Sequence, residues 1–84
     1  MPCIKRLNNI VIYIYYQEHG APHFHARLRG AEAKIRIADL RVLKSGLSSR
    51  SLNKVLDWAE HHKKALSIRW DQASRREPMT PIKD

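Results

Sequence analysis

The 84 residues leave room for one domain, and a chain this short buries only roughly 60–65% of its unfolded surface. A second copy of the chain or another partner can therefore complete its core. Sixteen Lys and Arg against eight Asp and Glu give a formal charge of +8, which favours anionic partners through long-range attraction. A single cysteine, Cys3, excludes an internal disulfide, and no stretch approaches the roughly 20 apolar residues of a membrane span.

Met1–Leu7 reads as a short lead-in with no signal-peptide pattern, so a cytoplasmic location is expected. Ile10–Tyr16, IVIYIYY, is rich in β-branched and aromatic residues and predicts a strand. Gln17–Pro22, QEHGAP, breaks it with Gly20 and Pro22. His23–Leu28 then alternates, with Phe24, Ala26 and Leu28 on one face and His23, His25 and Arg27 on the other. Arg29 and Gly30 make a turn, and Ala31–Ile37 alternates again: Ala31, Ala33, Ile35 and Ile37 oppose Glu32, Lys34 and Arg36. Alternation alone leaves the register open, because a slip by one residue inverts a face.

Arg41–Leu43 adds a short edge strand at most, and Lys44–Gly46 reads as a turn. Ser48 or Ser49 can cap the helix that follows. Leu52, Val55, Leu56 and Ala59 recur at helical spacing, and Leu66, Trp70 and Ala73 continue the stripe. One helix over Ser49–Arg75 would be roughly 40 Å long, more than the roughly 30 Å breadth of a domain this size. A bend or break near His61–Ala65 is expected. The predicted fold is α+β: a three-stranded antiparallel sheet, four-stranded if the edge forms, then one bent or two C-terminal helices. One domain covers 1–84, with a sheet region at 8–46, a helical region at 49–75 and a flexible tail at 77–84.

The densest chemistry lies in E-H-G-A-P-H-F-H, where Glu18, His19, His23 and His25 fall within eight residues. Imidazole both takes and gives protons near neutral pH, so His19, His23 and His25 are candidate catalytic groups for cutting RNA, with Tyr13 as a hydrogen-bond donor. Three imidazoles with Glu18 can also hold a metal. No pair has a standard zinc spacing, and the expectation is metal-free chemistry without a cofactor. Arg27, Arg29, Lys34 and Arg36 are candidate phosphate contacts, and Tyr15 can stack on a base. Trp58 and His62 are expected at a partner interface, where tryptophan is enriched. A phosphate-binding glycine loop, a nucleophile elbow and paired carboxylates are absent from the sequence, which argues against nucleotide-triphosphate and sugar hydrolysis.

Two stretches, IVIYIYYQEHGAPHFHA and LNKVLDWAEHHKKALSIRWDQA, together resemble the small bacterial DUF4160 domain family. Glu18, His19, His23, Phe24, His25 and Ala26 match its strand-proximal signature, and Trp58, Ala59, His62, Leu66 and Trp70 match its helical pattern. The resemblance implies a two-protein setting, since such proteins are often encoded beside another small protein in suspected toxin–antitoxin pairs. Joined to the basic charge, it implies an RNA-directed toxin and a small acidic antitoxin-like partner. The rival expectation is a non-enzymatic nucleic-acid-binding or regulatory protein of such a pair.

Overall fold

A computed structural model of the chain describes residues 3–16 and 18–83. The parts of the lead-in, the QEHGAP connection and the tail that fall on residues 1, 2, 17 and 84 lie outside them. Five strands form one antiparallel meander: β1 (Cys3–Leu7), β2 (Ile10–Tyr13), β3 (His23–Leu28), β4 (Ala31–Arg36) and β5 (Val42–Ser45). Two helices follow, α1 (Ser49–Glu60) and α2 (Lys63–Ser74).

The α+β class stands, but the strand count is corrected to five. The first added strand is the lead-in itself. Its two cations, Lys5 and Arg6, mask the strand signal, while Asn8 turns the chain in the left-handed region (φ 56°) and pairs Leu7 with Ile10. Asparagine tolerates that conformation better than most residues. A bulge between Cys3 and Lys5 accompanies burial of Ile4. The second is Val42–Ser45, which pairs with β4 and turns Lys44 and Ser45 from an expected turn into edge-strand residues.

The β3–β4 register comes from the tightest turn in the sheet. Arg29 (φ 49°) and Gly30 (φ 84°) both lie in the left-handed region, as a primed hairpin turn requires. Leu28 therefore faces Ala31, and His25 faces Lys34. Ile12, Ala26 and Ala33 fall in one cross-strand row, with Phe24 and Ile35 in the next. This face shares a core with Val55 and Ala59 of α1 and with Leu66, Trp70 and Ala73 of α2.

Ser48 caps α1, its side-chain oxygen accepting the Ser51 N–H at 3.2 Å. The helical region breaks at His61 and His62, so two helices of 12 residues each fit a molecule measuring 33 × 25 × 24 Å. The C-terminal segment returns to the sheet. The Ile82 N–H donates to the Ile4 carbonyl at 2.8 Å, and Ile82 is buried. Arg69 fastens the same segment by donating to the Thr80 and Pro81 carbonyls at 3.0 and 3.2 Å. Among the described residues, no helix is long and apolar enough to cross a membrane.

Candidate functional site

Alternation along β3 sends His23 and His25 to the sheet face opposite Phe24 and Ala26. That face was expected to be open, yet His23 is only 1% exposed and His25 6%. Two elements account for the burial. Trp70 of α2 lies 5.0 Å from the His23 ring, and the connection after β2 brings Glu18 onto both imidazoles. Gly20 takes a left-handed conformation there (φ 92°), which favours glycine.

Each imidazole is held at both nitrogens. His23 Nδ1–H donates to the Ala21 carbonyl at 2.9 Å; a carbonyl oxygen only accepts, so that nitrogen carries the proton. His25 Nδ1 meets a Glu32 carboxylate oxygen at 3.0 Å. Both Nε2 atoms converge on Glu18: His23 at 2.9 Å from Oε2, and His25 at 2.8 Å from Oε1 and 3.1 Å from Oε2. Burial is the largest influence on the Glu18 carboxyl and pushes its pKa up, but hydrogen bonds from His23 and His25 outweigh it, so the net shift is downward. Glu18, His23 and His25 thus form one compact donor group.

Tyr13 packs flat on His25, with ring centroids 5.1 Å apart at 14°. Tyr15 meets both rings edge-on, and the Arg27 guanidinium lies 5.5 Å from the centre of the Tyr13 ring. The Tyr13 hydroxyl is buried without a well-formed hydrogen bond. Burial first, then the nearby Tyr15 and Glu32 side chains, push its ionisation far up. It therefore keeps its proton at any physiological pH and cannot serve as a base.

The expected site residues sort into three groups. His23, His25 and Tyr13 come together, while His19 is exposed and stands outside the donor group. Of the expected phosphate contacts, Arg36 is engaged by Asp39, its Nε donating at 2.8 Å and its second nitrogen to the other oxygen. That pairing holds the Asp39 carboxyl well below the usual range. Arg27 is engaged by the Tyr13 ring, and Arg29 is exposed on the hairpin turn. Lys34 instead lines a pocket of about 310 Å³ with His25, Glu32, Ala33 and Lys44. Trp58 and His62 are half-buried and stacked on each other at 4.8 Å, and His62 Nδ1–H donates to the Trp58 carbonyl.

Sequence reasoning missed Glu32 and Lys44. Glu32 looked like the lone acid opposing a row of cations. Once Leu28 faces Ala31, it pairs with Arg27 and lies diagonal to His25. Lys44 reads as a turn residue in the sequence, and only pairing with Lys34 brings it to the pocket.

The DUF4160 family model, described as a domain of unknown function, matches residues 9–71. The chain belongs to the DUF4160 family. The match begins just before β2 and ends within α2, so it takes in the whole Glu18–His23–His25 group, Glu32 and Lys44. No curated protein and no solved structure matches the chain.

Proposed function

We propose that this DUF4160 protein is the RNA-directed toxin of a two-protein toxin–antitoxin module and cuts RNA at the pocket beside His25. One observation carries this reading. A buried, doubly oriented imidazole shares a concave wall with Lys34 and Lys44, and among the described residues neither lysine pairs with a carboxylate. The lysines can hold a phosphate as point charges. Cleavage by the neighbouring 2′-hydroxyl then needs a proton acceptor and a donor to the departing 5′-oxygen. The Glu18–His23–His25 group beside the pocket supplies both. The family resemblance supports the two-protein setting, and a charge of +8 suits both RNA and an acidic partner.

The test is incubation of the full chain with labelled single-stranded RNA, beside His25→Ala and the Lys34→Ala/Lys44→Ala double variant. Cleavage is expected to vanish in the first and weaken in the second as binding falls. Unchanged cleavage by His25→Ala would sink the assignment. A second reading, a non-enzymatic RNA-binding partner, is favoured by the partial exposure of Tyr15 and Tyr16, 38% and 45%, since exposed aromatic rings offer stacking surfaces to bases. It predicts RNA that is retained uncut, with affinity unaffected by His25→Ala.

A further inference from the structure

We infer that Glu18, His23 and His25 form a binding site for one divalent transition-metal ion, with the Ala21 carbonyl and Glu32 as the outer contacts that aim the two imidazoles. The inference uses the same cluster as the proposed RNA-cutting centre but does not depend on RNA being the substrate; with the ion bound both Nε2 atoms are taken, so proton transfer to RNA belongs to the ion-free protein.

The placement of the ring nitrogens is the first argument. His23 donates its Nδ1–H to the Ala21 carbonyl, and His25 directs Nδ1 at the Glu32 carboxylate. Both Nε2 atoms are thereby aimed at the Glu18 carboxylate, at 2.8–3.1 Å. A ring whose Nδ1–H is held by an oxygen presents Nε2 to a metal ion. A divalent ion takes the place of the protons that bridge Nε2 and Glu18 in its absence.

Geometry is the second argument. Metal–nitrogen and metal–oxygen bonds of about 2.1 Å place adjacent ligands about 3.0 Å apart at right angles and about 3.4 Å apart at the tetrahedral angle. The His–Glu separations of 2.8–3.1 Å fall at the right-angle value. All three donor atoms lie within 4.8 Å of one another; two ligands of one ion stand at most about 4.2 Å apart, so a pair at the wide end closes by about half an ångström on binding. Metal-bound histidines characteristically give their other N–H to a carbonyl or carboxylate, and both do so here. Two imidazoles and one carboxylate suit ions of the Zn²⁺, Co²⁺ and Ni²⁺ kind. Glu18, with 21% of its side chain exposed, leaves a path from solvent, whereas both histidines are nearly sealed. Three protein ligands leave positions for water or a substrate oxygen.

The experiment uses chelator-stripped full-length protein titrated with Co²⁺, read by visible absorption and by elemental analysis after Zn²⁺ loading. One ion per chain is expected, with loss of that stoichiometry in Glu18→Gln and His25→Ala. Glu18→Gln changes a partly exposed residue and keeps its size, so a melting curve that matches the parent's certifies its fold. Glu32→Gln should weaken binding by about 10–100-fold without abolishing it, because Glu32 touches His25 and not the ion. Absence of stoichiometric Co²⁺ binding by the parent protein overturns the site. So does one-to-one binding that survives in both Glu18→Gln and His25→Ala, which would move the ion elsewhere, for example to His61 and His62. Binding is measured without RNA, so the two proposals fail separately. RNA is offered to the chelator-stripped protein: a chain that binds the ion one-to-one but, once stripped, leaves RNA uncut counts against RNA as substrate and leaves the metal site standing. A protein that cuts RNA but binds no ion does the reverse.

Discussion

Replacing Glu18 by alanine tests whether one carboxylate holds the buried histidines. The side chain accepts from His23 and His25, whose side chains are 2% and 7% exposed. Leaving a buried polar group unpaired costs about 1–3 kcal/mol. Glu18 itself is 21% exposed, so water can partly replace it, and values near the lower end apply. Two imidazoles then lose about 2–4 kcal/mol together. An 84-residue domain has roughly 4–12 kcal/mol to lose, at about 0.05–0.15 kcal/mol per residue, so the variant should unfold at visibly lower urea.

The loss should also depend on pH, with a definite sign. The folded state lowers the Glu18 pKa, because the two histidine hydrogen bonds outweigh burial. The associated stabilisation is therefore complete above the unfolded carboxyl value of about 4.3 and is lost as pH falls through the lower folded value. Urea unfolding of parent and Glu18→Ala, with chelator present to remove any bound ion, should show a gap at pH 7 that narrows below about pH 4. Equal midpoints at pH 7, or a gap that stays constant down to pH 3, would refute the carboxylate–imidazole account.

Tyr13→Phe removes a buried hydroxyl that makes no well-formed hydrogen bond, so stability should hold or rise by up to about 1 kcal/mol in urea unfolding; a loss of RNA cleavage at unchanged stability would instead mark the hydroxyl as a substrate contact. Gly30→Ala has space for its methyl but a strained backbone (φ 84°), and should cost about 1 kcal/mol. Gly46→Ala, where the nearest atom to the new carbon is the Glu32 carbonyl oxygen at 3.6 Å and φ is not left-handed, should stay within about 0.5 kcal/mol of the parent. Lys34→Ala and Lys44→Ala should each lower the salt dependence of RNA binding by about one unit of slope in a salt titration if each holds a phosphate, whereas Arg36→Ala, already engaged by Asp39, should change it little. Ile82→Ala should destabilise by about 2–4 kcal/mol in the same unfolding assay, because this side chain near the C-terminus is part of the core.

What was legible in the sequence depended on whether a segment carried its own pattern. β3 and β4 alternate because Phe24, Ala26, Ala33 and Ile35 turn to the apolar core while the residues between them take the other face, so their existence and their sidedness could be read directly. The helix break followed from size. β1 was hidden because CIKRL presents two cations in five residues and becomes a strand only by pairing with β2. β5 likewise depends on β4, and three of its four residues are exposed. The attachment of the C-terminal segment through Arg69 and Ile82 joins residues 11 to 78 positions apart, and nothing local announces it.

The site shows the same division and explains why fold and chemistry here are one problem. That His23 and His25 point the same way follows from alternation, and Glu18 lies close in sequence. Their burial does not follow, because it needs Trp70 from a helix 45 residues beyond His25 and a connection that folds back over the sheet. The roles of Glu32 and Lys34 rest on register alone. The left-handed pair Arg29–Gly30 sets Leu28 against Ala31, and from that pairing Glu32 falls diagonal to His25 and Lys34 directly opposite it. A slip of one residue would turn both away from His25 and would also carry Ala33 and Ile35 out of the core. The apolar face therefore enforces the register that the polar face needs. A variant that loosens the β3–β4 turn should consequently weaken the histidine cluster and the core together, while Glu32→Gln should disturb the cluster and leave the core intact.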